Sequence, residues 1–174
     1  IIGELGKGFK IAMNVLNTGR LSLGSGSVGG MKAILKLATA QANTRKQFGD
    51  YIANFGLIQE KLATMAANIY ASESIVYMST GKITQGMSEF SHESAICKVY
   101  CSEKLWDTID KATQIAAGNA YMREYPYERI MRDCRINLIF EGTNEILRIF
   151  TALMGIKGPS DNSVSYTHLT LPTN

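Results

Sequence analysis

The feature that most constrains this chain is a long succession of apolar residues at helical spacing, with almost no proline to interrupt it. Only three prolines occur in 174 residues, and two of them lie at or after Pro159. Because proline ends or kinks helices, the body of the chain can form long uninterrupted helices. Alternating strand patterns are nearly absent, so the sequence predicts an all-α protein.

Turn residues divide this body into successive helices. One long helix, continuous or interrupted, is expected from about residue 7 to 44, and a second from about residue 52 or 56 to 84. A third is expected over about 91–117, a short fourth over 126–132, and a last helix over about 143–154. Long amphipathic helices with short connections predict an antiparallel helical bundle.

Composition and charge narrow the class of protein. The chain is 45% hydrophobic with a net charge of +3, which is typical of a globular domain with one sizeable core. It has no dense run of Lys and Arg, so nothing indicates a nucleic-acid partner. We find neither a signal peptide nor an apolar run long enough for a transmembrane segment. Because the chain starts at Ile1 rather than Met, we interpret it as a fragment of a longer protein.

The cysteines favour a buried, reduced state over a metal site. There are three, an odd number without a Cys-x-x-Cys motif, which fits a reducing compartment. Cys97 and Cys101 lie one helical turn apart, with His92 as the one nearby third ligand. A metal ion requires more ligands than this, so we predict small buried thiols and no metal.

Residues 24–30 match the dinucleotide-binding pattern G-x-G-x-x-G. A phosphate-binding loop of that kind requires a strand before it and a helix after it. Here both flanks are helical in pattern. The favoured interpretation is therefore a helix face of small residues that lets another backbone approach closely.

Glu141 is the first candidate for a general base. It follows a short apolar run and precedes Gly-Thr-Asn at the start of the last predicted helix. Such a site can desolvate a carboxylate, and the N–H groups of a helix start can face a ligand. A favourable interaction with the helix dipole is the plainer alternative.

Arg20 lies among apolar residues and requires a carboxylate, phosphate or carbonyl partner. Arg45 ends a helix, where a cation is favourable, and a phosphate role is open for both arginines.

Four motifs in order resemble the C-terminal helical domain of the acyl-CoA dehydrogenases, over about residues 2–158. The residues of these motifs most resemble those of the very-long-chain branch of that family. They comprise residues 16–20 (Leu-Asn-Thr-Gly-Arg), 44–49 with 55–62, 114–118 with 125–129, and 132–133 with 140–148 (Phe-Glu-Gly-Thr-Asn-Glu-Ile-Leu-Arg).

The resemblance implies a flavin-dependent activity, the α,β-dehydrogenation of long-chain acyl-CoA to trans-2-enoyl-CoA in fatty-acid β-oxidation. Glu141 would take the α-proton while a hydride passes from the β-carbon to N5 of FAD. The backbone N–H of Glu141 would hold the thioester oxygen. Some relatives place the base at the position of Gly19, where a glycine cannot act. Electron-transferring flavoprotein would accept the electrons, and a homodimer would share its FAD sites between subunits.

The same resemblance implies a set of site residues. The substrate side comprises Asn17, Arg20 and Gly142. The cofactor side comprises Arg45, Gln47 and Phe48 against the FAD of the partner subunit, Gln114, Ala117 and Gly118 near its adenosine side, and Thr143, Asn144 and Glu145 near the diphosphate and adenosine. The family usually has Gly-Gly where this chain has Ala117-Gly118, so an added methyl stands close to the expected cofactor contact.

We predict one domain over residues 1–158 and a tail outside it over 159–174. From about residue 163 the tail is interpreted as translated sequencing-library adapter, because a DNA string resembling such an adapter encodes residues 164–173. A native tail without fixed structure is the alternative.

Two other functions stay open at this stage, an acyl-CoA oxidase and a non-catalytic assembly or scaffold member of the family. The family's N-terminal helical and central β domains are not in this sequence, so the chain alone is expected to be inactive. The compartment is not readable, and would be mitochondrial in a eukaryote and cytoplasmic in a bacterium.

Overall fold

The computed structural model describes residues 2–163, with side chains described to residue 157. Within that part of the chain the protein is helical, which confirms the all-α prediction. The helices are α1 (Gly8–Thr44), α2 (Gly56–Thr84), α3 (Ser91–Ala116), α4 (Tyr127–Arg135) and α5 (Asn144–Ser163). Short 3-10 helices cover Ile52–Asn54, Ala117–Tyr121 and Ile136–Leu138. The strands β1 (Lys46–Gln47) and β2 (Asp50–Tyr51) form a small antiparallel hairpin where a turn was expected.

Helices α1, α2 and α3 run up, down and up, so consecutive helices are antiparallel as predicted. Lys32 of α1 pairs with Glu73 of α2 at 2.5 Å, and Asn68 of α2 donates to Asp107 of α3 at 2.7 Å. Helix α5 packs against α3 in the opposite direction. Buried apolar side chains from α1, α2 and α3 form the main core, and Tyr127 and Cys134 of α4 close one side of it.

The glycine-rich stretch lies inside α1 and is helical throughout, which confirms that it is not a phosphate-binding loop. A Cβ on Gly24 would lie 2.4 Å from the Cys97 sulfur, and one on Gly30 would lie 3.3 Å from Leu105. Both neighbours belong to α3, so the small residues bring two helices close together. Cys97 and Cys101 are free, buried thiols in this contact, as the sequence predicted.

Several boundaries differ from the predicted ones. Helix α4 continues to Arg135 rather than 132, and α5 continues to Ser163 rather than 154. Tertiary packing of Cys134 extends α4 by one turn beyond its expected end. The predicted domain end at residue 158 stays a prediction. The predicted adapter-derived tail lies, beyond residue 163, outside the described residues. None of the described helices has the length and hydropathy to cross a membrane.

Candidate active site

Glu141 lies in a tight turn between the 3-10 helix at Ile136–Leu138 and α5. Both Glu141, at φ 60°, and Gly142, at φ 95°, adopt left-handed backbone conformations. Such a conformation costs a residue with a Cβ about 1–2 kcal/mol, so surrounding contacts must hold Glu141 in place. The turn places the Glu141 side chain against the first third of α1.

The Glu141 carboxylate lies directly over Gly19 of α1. A Cβ on Gly19 would lie 2.8 Å from Glu141 Oε1 and 3.1 Å from Oε2. Carboxylate oxygen Oε2 is buried and has no hydrogen-bond partner among the described residues. Buried carboxylate oxygens are ordinarily paired, because an unpaired one loses its hydration without replacement. Within the described residues, the capacity of Oε2 to accept a hydrogen bond or a proton is therefore unused.

Arg20 fixes the backbone of the same turn. Its side chain is buried, and its Nε donates to the Glu141 carbonyl oxygen at 2.9 Å. Its Nη1 donates to Asn17 Oδ1 at 3.0 Å. Burial lowers the pKa of Arg20, and the Glu141 carboxylate opposes that shift. The predicted need for an oxygen partner is confirmed, since a carbonyl fills it.

A second cation, Lys98 of α3, reaches the other side of the turn. Its Nζ donates to the Gly142 carbonyl at 2.8 Å and to Asn144 Oδ1 at 2.6 Å. The residue is fully buried. Burial lowers its pKa to about 8, with Arg20 adding to the decrease. Carboxylates oppose the decrease from three directions: Glu145, Glu141 and Glu103.

Sequence reasoning missed Lys98, although a signal was present. Its neighbours one turn away on either side are small: Ser94, Ala95, Cys101 and Ser102. Small neighbours on a buried helix face leave room to cover a lysine completely. The structure buries all four of them around Lys98.

The residues after the turn begin α5 and meet α3. Thr143 caps the helix, since its Oγ1 accepts from the N–H of Ile146 at 3.4 Å. Asn144 is buried, and its Nδ2 donates to Ser102 Oγ at 3.0 Å. Glu145 is exposed, and hydrogen bonds from its own backbone and from Thr143 lower its pKa. The Asn144 side chain is thus occupied within the domain, and the predicted cofactor contacts of these residues stay predictions.

The other predicted cofactor residues lie at the opposite end of the bundle. Arg45, Gln47 and Phe48 follow the C-terminal end of α1, and Phe48 is 95% exposed at φ 55°. The exposed residues Gln114, Ala117 and Gly118 lie at the C-terminal end of the parallel helix α3. Ala117 adopts φ 53°, a conformation that favours glycine, which is the residue the family usually has there. The structure brings these two groups to one end but separates them from Glu141.

The described residues hold no group of three or more His, Cys, Asp or Glu side chains arranged to bind a metal ion. A cleft of about 470 Å³ opens beside Asn17 and Arg20, between the start of α1 and α5. Phe9, Met13, Ile146 and Phe150 give it apolar walls. The predicted substrate-side residues Asn17 and Arg20 therefore border open space, while Gly142 lies in the turn itself.

Comparison with known proteins shows where this arrangement recurs. Residues 6–153 match the profile described as acyl-CoA dehydrogenase, C-terminal domain. The chain is 48% identical over 155 residues to the mouse very long-chain specific acyl-CoA dehydrogenase, covering 89% of this chain and 24% of that protein.

Solved structures agree with the sequence match. An acyl-CoA dehydrogenase from Bacillus anthracis in complex with FAD superimposes with a TM-score of 0.86 at 42% identity, covering 92% of this chain and 31% of that one. The butyryl-CoA dehydrogenase of Megasphaera elsdenii gives a TM-score of 0.84 at 38% identity, covering 88% and 40%. This chain thus spans about a quarter of the curated mouse protein's length. It belongs to the acyl-CoA dehydrogenase family, and its described helices form the C-terminal domain of that family.

Proposed function

We propose that the chain is the C-terminal domain of an FAD-dependent acyl-CoA dehydrogenase acting on long-chain acyl-CoA, with Glu141 as the base. The observation that carries this proposal is the buried Glu141 Oε2, which has no partner among the described residues. A proton received from the α-carbon of a bound thioester would relieve that unpaired oxygen. Membership of the acyl-CoA dehydrogenase family supports the assignment of the reaction.

The residues of this chain perform the proton-transfer part of the proposed reaction. A thioester bound against Glu141 displaces water, which strengthens the carboxylate as a base. The backbone N–H of Glu141 donates to the thioester oxygen as negative charge develops there. Arg20 limits movement of the base by holding the Glu141 carbonyl. When bound, FAD supplies the hydride acceptor for the β-carbon.

The far end of the bundle fits a flat cofactor carried by another subunit. Phe48 holds an exposed ring in a left-handed backbone conformation, with Phe55 edge-to-face against it at 6.3 Å. Exposed aromatic rings with one free face are suited to stacking on a planar group. Arg45 beside it offers a positive charge to a diphosphate. These features support a cofactor role for the residues that follow α1.

Distance supports a homodimer in which each FAD touches both subunits. Gly19 lies on α1, and Arg45 directly follows the last residue of that helix. The separation of 26 residues between the two positions corresponds to about 39 Å at the helical rise per residue. A single FAD is too short to contact both Glu141 and Phe48 of one chain. Two copies, each presenting its far end to the other's Glu141, would use both groups. Electron-transferring flavoprotein is the proposed electron acceptor of that dimer.

The test uses the complete FAD-loaded protein that carries this domain. Anaerobic mixing with palmitoyl-CoA should bleach the flavin absorbance in the wild type. Glu141→Gln should slow bleaching at least about 100-fold, because a general base contributes that much or more. The control Glu60→Gln removes an exposed carboxylate of α2 and should bleach at the wild-type rate.

The outcomes separate the alternative functions. Bleaching of Glu141→Gln at the wild-type rate would show that the base is another residue. A wild-type flavin that stays oxidised with acyl-CoA of every chain length would favour the scaffold function. Rapid reoxidation of the reduced flavin by air, with hydrogen peroxide formed, would identify an acyl-CoA oxidase instead.

A further inference from the structure

Burial of the Lys98 ammonium costs free energy, because a charged group loses its hydration inside the fold. Charged groups are rarely buried completely unless they are paired or needed. Lys98 is fully buried on α3, and its ammonium group donates hydrogen bonds to two oxygen atoms of one short segment. These are the Gly142 carbonyl and the Asn144 side-chain carbonyl, at 2.8 and 2.6 Å.

That segment is the one that aims the Glu141 carboxylate. Two successive residues in left-handed conformations do not hold themselves in place. The carbonyl of Glu141 is held by Arg20 from α1, and the carbonyl of Gly142 is held by Lys98 from α3. The two cations thus hold the peptide group between the two left-handed residues and the peptide group that follows them. Loss of either hydrogen bond would let the left-handed turn relax, and the Glu141 carboxylate would then shift from its position over Gly19.

Charged groups from every neighbouring element face Lys98. Arg20 of α1 lies close enough to repel it, while Glu103 of α3, Glu141 of the turn and Glu145 of α5 attract it. The Asn144 amide that receives its second hydrogen bond is in turn held by Ser102 of α3. The ammonium therefore sits at the centre of a buried polar network that joins three elements at the turn.

We propose that Lys98 is a positioning residue for the base, holding the Gly142 carbonyl so that the Glu141 carboxylate stays over Gly19 in its reactive orientation. The proposal rests on the proposed function of Glu141. Lys98 is fully buried beneath the turn, so it would act through the turn and not by direct contact with the substrate. Its effect is on the rate of proton removal rather than on substrate affinity.

The test compares Lys98→Met with Lys98→Gln in the complete FAD-loaded protein. Methionine keeps the apolar length and removes the donor, and glutamine keeps an N–H donor on a shorter side chain. Lys98→Met should slow anaerobic flavin reduction by acyl-CoA about 100-fold, as expected for a reacting group displaced by about 1 Å. The dissociation constant of acyl-CoA should stay nearly unchanged, and Lys98→Gln should recover part of the lost rate.

A second readout does not depend on activity. Hydrogen–deuterium exchange should accelerate in residues 139–146 of Lys98→Met and stay at the wild-type rate elsewhere. The control Lys104→Met removes a half-buried lysine on the same helix that contacts Tyr100 instead of the turn. It should change neither the exchange nor the rate of flavin reduction.

Each result decides for or against the role of Lys98. Wild-type flavin reduction and wild-type exchange in a folded Lys98→Met protein would overturn the proposal. If Lys98→Met does not fold, unchanged rate and exchange in Lys98→Gln would overturn it equally. If acyl-CoA does not reduce the flavin of the wild type or of any variant, the proposed function is wrong. Faster exchange in residues 139–146 would then still support Lys98 as the residue that holds the turn.

Discussion

At the scale of single residues, the orientation of Glu141 is set by two buried cations. Arg20 and Lys98 each donate to a backbone carbonyl of the turn, at 2.9 and 2.8 Å. Charge-assisted hydrogen bonds are stronger than neutral ones, which suits them to holding a strained backbone. Both hydrogen bonds require a buried positive charge. At Lys98 this burial lowers the pKa of the side chain, so the free energy of unfolding depends on pH.

The pKa of Lys98 is about 8 in the folded protein against an ordinary value of 10.5. Between these values the unfolded chain keeps a proton on Lys98 that the folded chain has released. The free energy of unfolding therefore rises with pH in this interval, and the contribution is constant below about pH 8, where both states are protonated. Lys98→Met should lose this rise, measured as the urea midpoint at pH 7.5 and 9.5.

Two comparisons keep that measurement specific. The wild type and the variant share every other ionisable group, so the difference between them isolates Lys98. Lys104→Met should keep the wild-type rise in stability. An identical pH dependence in Lys98→Met and wild type would mean that the folded-state pKa of Lys98 is not lowered.

At this scale the sequence could identify the candidate base, but it could not identify the contacts that hold that residue in position. Glu141 stands out because an acid follows an apolar run and precedes Gly-Thr-Asn. Its left-handed backbone and its position over Gly19 depend on contacts with α1, 122 positions away in sequence, which no local pattern encodes. Lys98 was missed because lysine is ordinarily solvated, and only the packed helices show that this one is covered.

At the scale of elements, the closeness of α1 and α3 depends on small side chains. Gly24 faces the Cys97 sulfur with no room for a methyl group, whereas Gly26 faces open space. Helix positions and start residues were largely predictable, since Pro and Gly separate the helices and the apolar period continues between them. The extra turn of α4 was not, because packing of Cys134 and not local preference sets its end.

Gly24→Ala should destabilise the chain by about 1–3 kcal/mol, because the added Cβ overlaps the Cys97 sulfur in a closely packed contact. The matched control is Gly26→Ala on the same helix, which should stabilise it by about 0.5–1 kcal/mol through helix propensity. Urea denaturation followed by circular dichroism measures both. Equal stabilisation by the two variants would show that α1 and α3 are not in close contact at Gly24.

At the scale of the whole molecule, the domain presents its candidate site residues in two groups at opposite ends. The Glu141 turn lies near the start of α1, and the exposed residues Arg45 and Phe48 follow its end. The apolar period predicted the long helix that separates them, and the resemblance supplied their proposed roles. Their separation follows from the unbroken length of α1, and it is the reason for proposing a shared cofactor site.

Mixed dimers test this arrangement. Glu141→Gln and Arg45→Glu should each abolish flavin reduction in their homodimers. In a mixed dimer, purified through two different affinity tags, one site carries both changes and the other carries neither. The mixed dimer should therefore show about half of the wild-type activity, because the two-fold arrangement leaves one of two sites intact. Activity near zero in a stable, FAD-loaded mixed dimer would place both residues in one subunit's site.

The contact between Gly19 and Glu141 also constrains how such a site can change by mutation. A side chain at position 19 and the long acid at position 141 compete for the same space, since even a Cβ would lie 2.8 Å from Oε1. The order of substitutions then matters. An acid gained at position 19 first would displace the Glu141 carboxylate from its position, and loss of Glu141 first would remove the proposed base. Exchange of the base between the two positions is an epistatic pair of changes, each harmful without the other.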